Sequence, residues 1–281
     1  MRVYTPSELN AMNLDERKAA LEGEFGRSFH VSAAEHVTWI FWARDTDEPT
    51  DILGHASAFM LDRGSGSILV TAAHVYRRYL DDQRQIGPLR CQVANTTVKN
   101  LSAHLIACGN LDIPLDEPDR ETDIATFRLT NGAVGRIGKR PVLAPARDWP
   151  APPKRGEQVM FCGFPAQERI RVSAAEINFG FHSGMTGAAS VTDHQITVRF
   201  EREFMIDQHG SGLPPVGYGL GGISGGPLLV PDFRDGAWMW RLGGVITQAT
   251  EERPPEEVLV EMVVAHRAEY IQADGTLAKS L

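Results

Sequence analysis

Cysteine is scarce: the 281 residues hold three, Cys91, Cys108 and Cys162. An odd and sparse set is not the pattern of a secreted disulfide framework. Long apolar runs are missing too, and no stretch approaches the roughly 18 residues that cross a bilayer as a helix. The N-terminus, MRVYTPSELNAMNLDERK, lacks the apolar core of a secretory signal. Membrane attachment is therefore not expected, and the cytoplasm is the simplest compartment. Basic residues are outnumbered, 28 Lys and Arg against 36 Asp and Glu, which gives a net charge of −8. The densest basic pairs are Arg77-Arg78 and Lys154-Arg155, too little for a phosphate-binding face, so nucleic acid is not an expected partner. No H-E-x-x-H occurs among the nine histidines, and no metal or other cofactor is expected.

What is present is an ordinary globular composition, 42% hydrophobic and 23% charged, in a chain long enough for two small β domains. Residues 1–30 read as a helical extension: Asn13 and Glu16 form a capping-box pattern, with an apolar stripe at Leu14, Leu21 and Phe25. Short apolar segments between turn residues then take over. HVTWIFWA (36–43), HASAFML (55–61), SILVTAAHV (67–75), DIATFRL (123–129), QVMFCGF (158–164), QITVRF (195–200), PLLV (227–230), RLGGVIT (241–247) and VLVEMVV (258–264) read as strands. Such a series predicts an all-β fold rather than a βαβ sheet. The stretch 141–156 carries five prolines and reads as an extended, exposed connection. It divides the strands into a first unit over 31–145 and a second over 146–281, with no repeat between them.

The stretch LGGISGGPLLV (220–230) gathers glycines around a single hydroxyl, Ser224. Glycine in such density is entropically costly unless local geometry demands it, as in a tight turn or a nucleophile site with bare backbone amides. A serine nucleophile needs a base in reach and a third group to orient that base. His74 closes the apolar run ILVTAAHV, and Asp123 opens DIATFRL; Asp119 and Glu121 are alternatives, but they sit in a charged loop.

T-A-A-H, then D-I-A, then G-x-S-G-G-P in that order resembles the trypsin/chymotrypsin superfamily of serine proteases, most nearly the bacterial HtrA/DegP-type domains. The resemblance runs over about residues 31–270 and includes GEQVMFCGFP (156–165) and LGGVIT (242–247). It implies two six-stranded antiparallel β-barrels, here with a short N-terminal helix, and a serine endopeptidase acting on a protein or peptide. Ser224 would attack the carbonyl, His74 would carry the proton, and Asp123 would orient the imidazole. The amides of Gly222 and Ser224 would bind the oxyanion. Tyr218 falls at the base of the primary pocket, with Thr247, Gln248 and Ala249 along its wall. Thr247 is a further candidate bond to the aspartate. Tyr218 and Ala249 together favour small or medium apolar side chains at the cleavage site over Arg or Lys, and the acidic loop 249–257 is a candidate border.

The chain departs from the secreted enzymes in two places. Ile223 stands where an aspartate pairs with a newly cut N-terminus, and Val75 where a cysteine follows the histidine. Too few residues follow Ser224 to hold a PDZ domain as well as the second barrel. A cytoplasmic protease needs control, so a regulatory protein partner or an ordering of 208–222 is expected. Two rivals stand beside this reading. GISGG also satisfies the α/β-hydrolase G-x-S-x-G, but the serine comes late and no strand–helix alternation precedes it. The other is a catalytically silent protease-fold scaffold that binds peptides by strand addition.

Overall fold

The computed structural model describes residues 2–44, 52–94, 97–99, 114–115, 121–145, 149, 152–173, 176–199, 213–215, 218–249 and 261–278. Three helices open the chain, Pro6–Ala11 (α1), Leu14–Glu22 (α2) and Glu24–Ala34 (α3). The helical extension is thus broken into pieces and runs past residue 30. Thr5 and Asn13 each close a capping box, with Glu8 and Glu16 as the reciprocal partners.

The strands of the first part are Val37–Arg44 (β1), Ile52–Asp62 (β2), Ser67–Ala72 (β3), Leu89–Ala94 (β4), Thr97–Lys99 (β5), Ile124–Arg128 (β6) and Val142–Leu143 (β7). They are followed by Gln158–Gly163 (β8), Arg169–Ser173 (β9), Glu176–Phe179 (β10), His182–Val191 (β11), Gln195–Arg199 (β12), Pro227–Arg234 (β13), Ala237–Ala249 (β14) and Met262–Arg267 (β15). The second part closes as a six-stranded barrel in the order β11-β12-β15-β14-β13-β8. The first part is also antiparallel β in its main pairings, as a chymotrypsin-like double barrel requires. Its strands form a six-stranded sheet, β4-β1-β2-β3-β6, with β7 added to β2 in parallel; β5, β10 and β9 make a separate small sheet. The fold is mostly β, as the strand pattern requires.

Period-two alternation explains how the two parts meet. Along β1, Val37, Trp39 and Phe41 face one core, and Ile40 and Trp42 face another. The first of these cores is shared: Met160, Cys162 and Phe164 of the barrel side join Trp39, Phe41 and Phe59 in it. Val159 and Phe161 point instead into the barrel interior with Ile196, Ile223 and Leu228. In the proline-rich stretch, Val142 is fully buried and Trp149 lies under the Arg63 guanidinium at 4.2 Å.

Two further elements depart from the sequence reading. The run 67–75 is a strand only to Ala72; the chain then enters a helix, Ala73–Ile86 (α4), which Gly87 and Pro88 end. Val75, Tyr76 and Tyr79 are its buried stripe, packed on the second face of the sheet. A smaller helix, Asn131–Ile137 (α5), follows β6. Strand β11, HSGMTGAASV, has too little apolar alternation to be read as one. Its Gly184 is required by packing: a Cβ there would lie 2.2 Å from the Phe161 ring. In the run 258–264, residues 258–260 lie outside the described residues, and β15 begins at Met262.

Candidate active site

Sheet register brings His74 and Asp123 together. Strand β3 pairs with β6 so that Ala72 faces Ile124, and the next residues on each side are Ala73 and Asp123. The Ala73 amide donates to the Asp123 carbonyl at 2.8 Å. His74 sits one residue further, in the first turn of α4. Its backbone amide donates to Asp123 Oδ1 at 2.8 Å, and its ring Nδ1 lies 2.6 Å from Oδ2. A carboxylate only accepts, so Nδ1 is the donor of this contact. Helix α4 has no side-chain cap of its own at Ala72, so the Asp123 carboxylate fills that role from another strand, at the positive end of the helix. Asp123 adopts φ 47°, a left-handed conformation that aspartate tolerates better than most residues. The Asp123 side chain is 17% exposed and that of His74 43%, so the acid is sheltered and the imidazole faces outward.

A third ligand of this carboxylate was not foreseen. Arg77 donates through Nη2 to Asp123 Oδ1 at 2.8 Å. It stands one helical turn beyond His74, and only recognition of α4 would have placed the two on one face. Thr247, the residue considered for that contact, is buried and makes no hydrogen bond to Asp123 among the described residues.

The Ser224 turn lies against the end of β3, the strand that leads into His74. A Cβ on Gly225 would sit 2.1 Å from Thr71 Oγ1 and 2.9 Å from the Ala72 amide nitrogen, and Gly225 has φ +86°. Gly222 has φ +101°, and a Cβ there would meet His55 Nε2 at 2.7 Å and the Phe164 carbonyl at 2.8 Å. No other residue type fits either place without strain. These contacts account for Gly222 and Gly225, and a Cβ on Gly226 would lie 2.1 Å from the Cys162 carbonyl oxygen, whereas a Cβ on Gly221 would meet nothing within 4 Å. Within the turn, the amides of Ile223, Gly225 and Gly226 donate to Leu220, Ile246 and Ile223 carbonyls respectively. Those of Gly222 and Ser224 donate to nothing among the described residues. The Ser224 hydroxyl also makes no hydrogen bond there.

Tyr218 and Ala249 both pack on the apolar cluster that holds Leu220 and Ile223. The Tyr218 hydroxyl donates to Glu168, and its ring stacks on His182 at 5.5 Å. Burial, then the Glu168 bond, raises the Tyr218 phenol. Burial lowers His182. Gln248 is exposed at the end of β14. Behind Gly222, His55 is pushed down to about 4 by burial and by the positive charges of Arg169 and Arg78, which makes it a neutral imidazole. Among the described residues no group of His, Cys, Asp and Glu could hold a metal ion, and no helix is long and apolar enough to cross a membrane.

No family model matches the chain, and no curated protein matches it. Solved structures do. The active form of the Rv3671c protease from M. tuberculosis is 16% identical over 100% of this chain and 92% of that one, with a TM-score of 0.40. Deg5 is 16% identical over 84% and 87%, with a TM-score of 0.41. The thermostable serine protease AL20 from an extremophilic microorganism is 14% identical over 84% and 92%, with a TM-score of 0.39.

Proposed function

We propose that the chain is a serine endopeptidase with Ser224 as nucleophile, His74 as general base and acid, and Asp123 as the residue that orients the imidazole. One observation supports this most: an imidazole fixed by a sheltered carboxylate at 2.6 Å, with a serine turn against the preceding strand whose Gly222 and Ser224 amides donate to nothing among the described residues. Ser224 Oγ bonds to the peptide carbonyl carbon while its proton passes to His74 Nε2. The oxyanion formed accepts hydrogen bonds from the Gly222 and Ser224 amides, each such donor being worth about 10²–10³ in rate. The C–N bond then breaks, the amine takes the proton from His74, and water releases the acyl group by the reverse sequence. Catalytic hydrogen bonds tighten when substrate binds, so an unpaired Ser224 hydroxyl in the free protein is compatible with this chemistry.

Tyr218 and Ala249, both packed on apolar neighbours, favour small or medium apolar side chains at the cleavage site. Glu168 is already engaged by the Tyr218 hydroxyl, which argues against Arg or Lys there. A mixed peptide library with new termini read by mass spectrometry tests the reading. Cleavage should follow apolar residues and vanish in Ser224→Ala and His74→Ala. Equal cleavage by those variants would refute it. A folded protein that cleaves nothing would favour the silent peptide-binding scaffold.

A further inference from the structure

Ser57 lies outside the three proposed catalytic residues, yet it bonds directly to the oxyanion turn. It is 0% exposed, on β2, opposite Trp39 of β1. All its polar atoms are used. Its amide donates to the Ser224 carbonyl at 3.0 Å, and its hydroxyl donates to the Gly222 carbonyl at 2.9 Å. The same hydroxyl accepts from the Phe164 amide at 2.8 Å. Its own carbonyl accepts from Thr71 Oγ1 at 2.9 Å. One residue of the first sheet therefore grips the turn on both sides of Ile223 and ties it to the end of β8. Gly163 makes room for this: a Cβ there would lie 2.5 Å from Ser57 Oγ.

The direction of the Gly222 and Ser224 amides depends on which way the neighbouring peptide planes face. In a trans peptide, C=O and N–H point in opposite directions. The Gly221 carbonyl is taken by the Ala166 amide at 2.6 Å, so the Gly222 N–H faces away from Ala166. The Ser224 N–H lies in the Ile223–Ser224 plane, whose carbonyl accepts from the Gly226 amide at 2.9 Å; the Gly222 and Ser224 carbonyls held by Ser57 belong to the planes on either side of it, so Ser57 restrains that plane from both ends. Among the described residues Ser57 is the side chain that bonds to the Gly222 carbonyl, while Ile223 carries no side-chain hydrogen-bonding group and is fully buried.

We propose that Ser57 is a positioning residue that holds the oxyanion turn with its two amides facing the reacting carbonyl. This rests on the serine-hydrolase reading above, and the test separates the two. A fluorophosphonate probe reports turn geometry without a known substrate: Ser224 Oγ bonds to phosphorus, the P–F bond breaks, fluoride leaves, and the proton passes to His74. The negatively charged phosphoryl oxygen needs the same amides. Phosphonylation rates over a range of probe concentrations give the limiting rate and the half-saturating concentration separately.

For Ser57→Ala the limiting rate should fall about 10- to 100-fold, with half-saturation within threefold of the parent. Ser57→Cys keeps the shape with weaker hydrogen bonds and should fall between. Thr126→Val removes another buried hydroxyl, one bonded to the Gly275 carbonyl at 2.6 Å, and should keep the parental rate. A folded Ser57→Ala protein labelled at the parental rate, or one changed only in half-saturation, overturns the proposal. If Ser57→Ala does not fold, Ser57→Cys is judged by the same two criteria. Failure of the parent protein to label at Ser224 would instead sink the serine-hydrolase reading itself.

Discussion

Each side chain around Asp123 contributes through a definable bond. The carboxylate accepts from the His74 backbone, the His74 ring and Arg77, with distances between 2.6 and 2.8 Å. Charge-assisted bonds of this length are the stronger kind, and three on one carboxylate leave it little freedom to rotate. Replacing Arg77 by Met should therefore lower kcat about 3- to 10-fold with KM unchanged, because the imidazole loses orientation rather than the site losing substrate contacts. Steady-state kinetics on a library-derived peptide would check it, and a change confined to KM would contradict it. Gly225→Ala tests the close approach of the turn. A methyl 2.1 Å from Thr71 Oγ1, on a residue at φ +86°, should destabilise the fold by about 2–4 kcal/mol in urea unfolding. The Gly-Ile-Ser-Gly-Gly sequence announced such a demand, but not its source. That source is long-range contact with Thr71, Ser57 and His55, which no local pattern encodes.

At the scale of elements, helix α4 matters most for the site, since its first turn carries His74. Its body is held to the sheet by the Tyr76 and Tyr79 stripe and by a bond from Trp42 Nε1 to Asp82 at 2.7 Å. Asp82→Ala strands a buried indole N–H and should reduce stability by about 1–3 kcal/mol, measured by thermal or urea unfolding. The N-terminal helices brace the second part in a comparable way. Trp238 and Trp240 donate to the Tyr4 carbonyl and to Ser32 at 2.8 and 2.6 Å, while the Phe29 ring packs edge-on against both indoles. Phe29→Ala should cost about 3–5 kcal/mol, far more than truncation in a loosely attached extension would. The strand pattern made β1, β2, β8 and β13 legible because their apolar runs are short and bounded by turn residues. It hid α4, because the apolar run of β3 continues unbroken through Ala72 and Ala73 into Val75. It hid β11 as well, where glycine replaces the large residue that a strand face usually shows.

For the molecule as a whole, one shared core joins the six-stranded sheet, the barrel and α3, so the site sits on a junction rather than in a hinge between independent bodies. Histidines lowered by burial make the fold sensitive to acid. His55 titrates at about 4 in the folded state, below its ordinary unfolded value near ~6.5. Burial lowers His36, His182 and His266 in the same direction. Between those two pH values the unfolded chain binds more protons than the folded one. The stabilisation is therefore complete above about pH 6.5 and is lost as the pH falls toward 4, by up to about 3 kcal/mol from His55. Urea midpoints at pH 7.5 and 5 should differ accordingly, and His55→Gln should shrink the difference. An unchanged difference in that variant would show that His55 is not the source.

The most direct test of the whole account is mass spectrometry of the protein after reaction with a fluorophosphonate. The account predicts one adduct, mapped to Ser224, absent in Ser224→Ala and slowed by orders of magnitude in His74→Ala. A folded protein that takes up no probe, or takes it up on another residue, would contradict it.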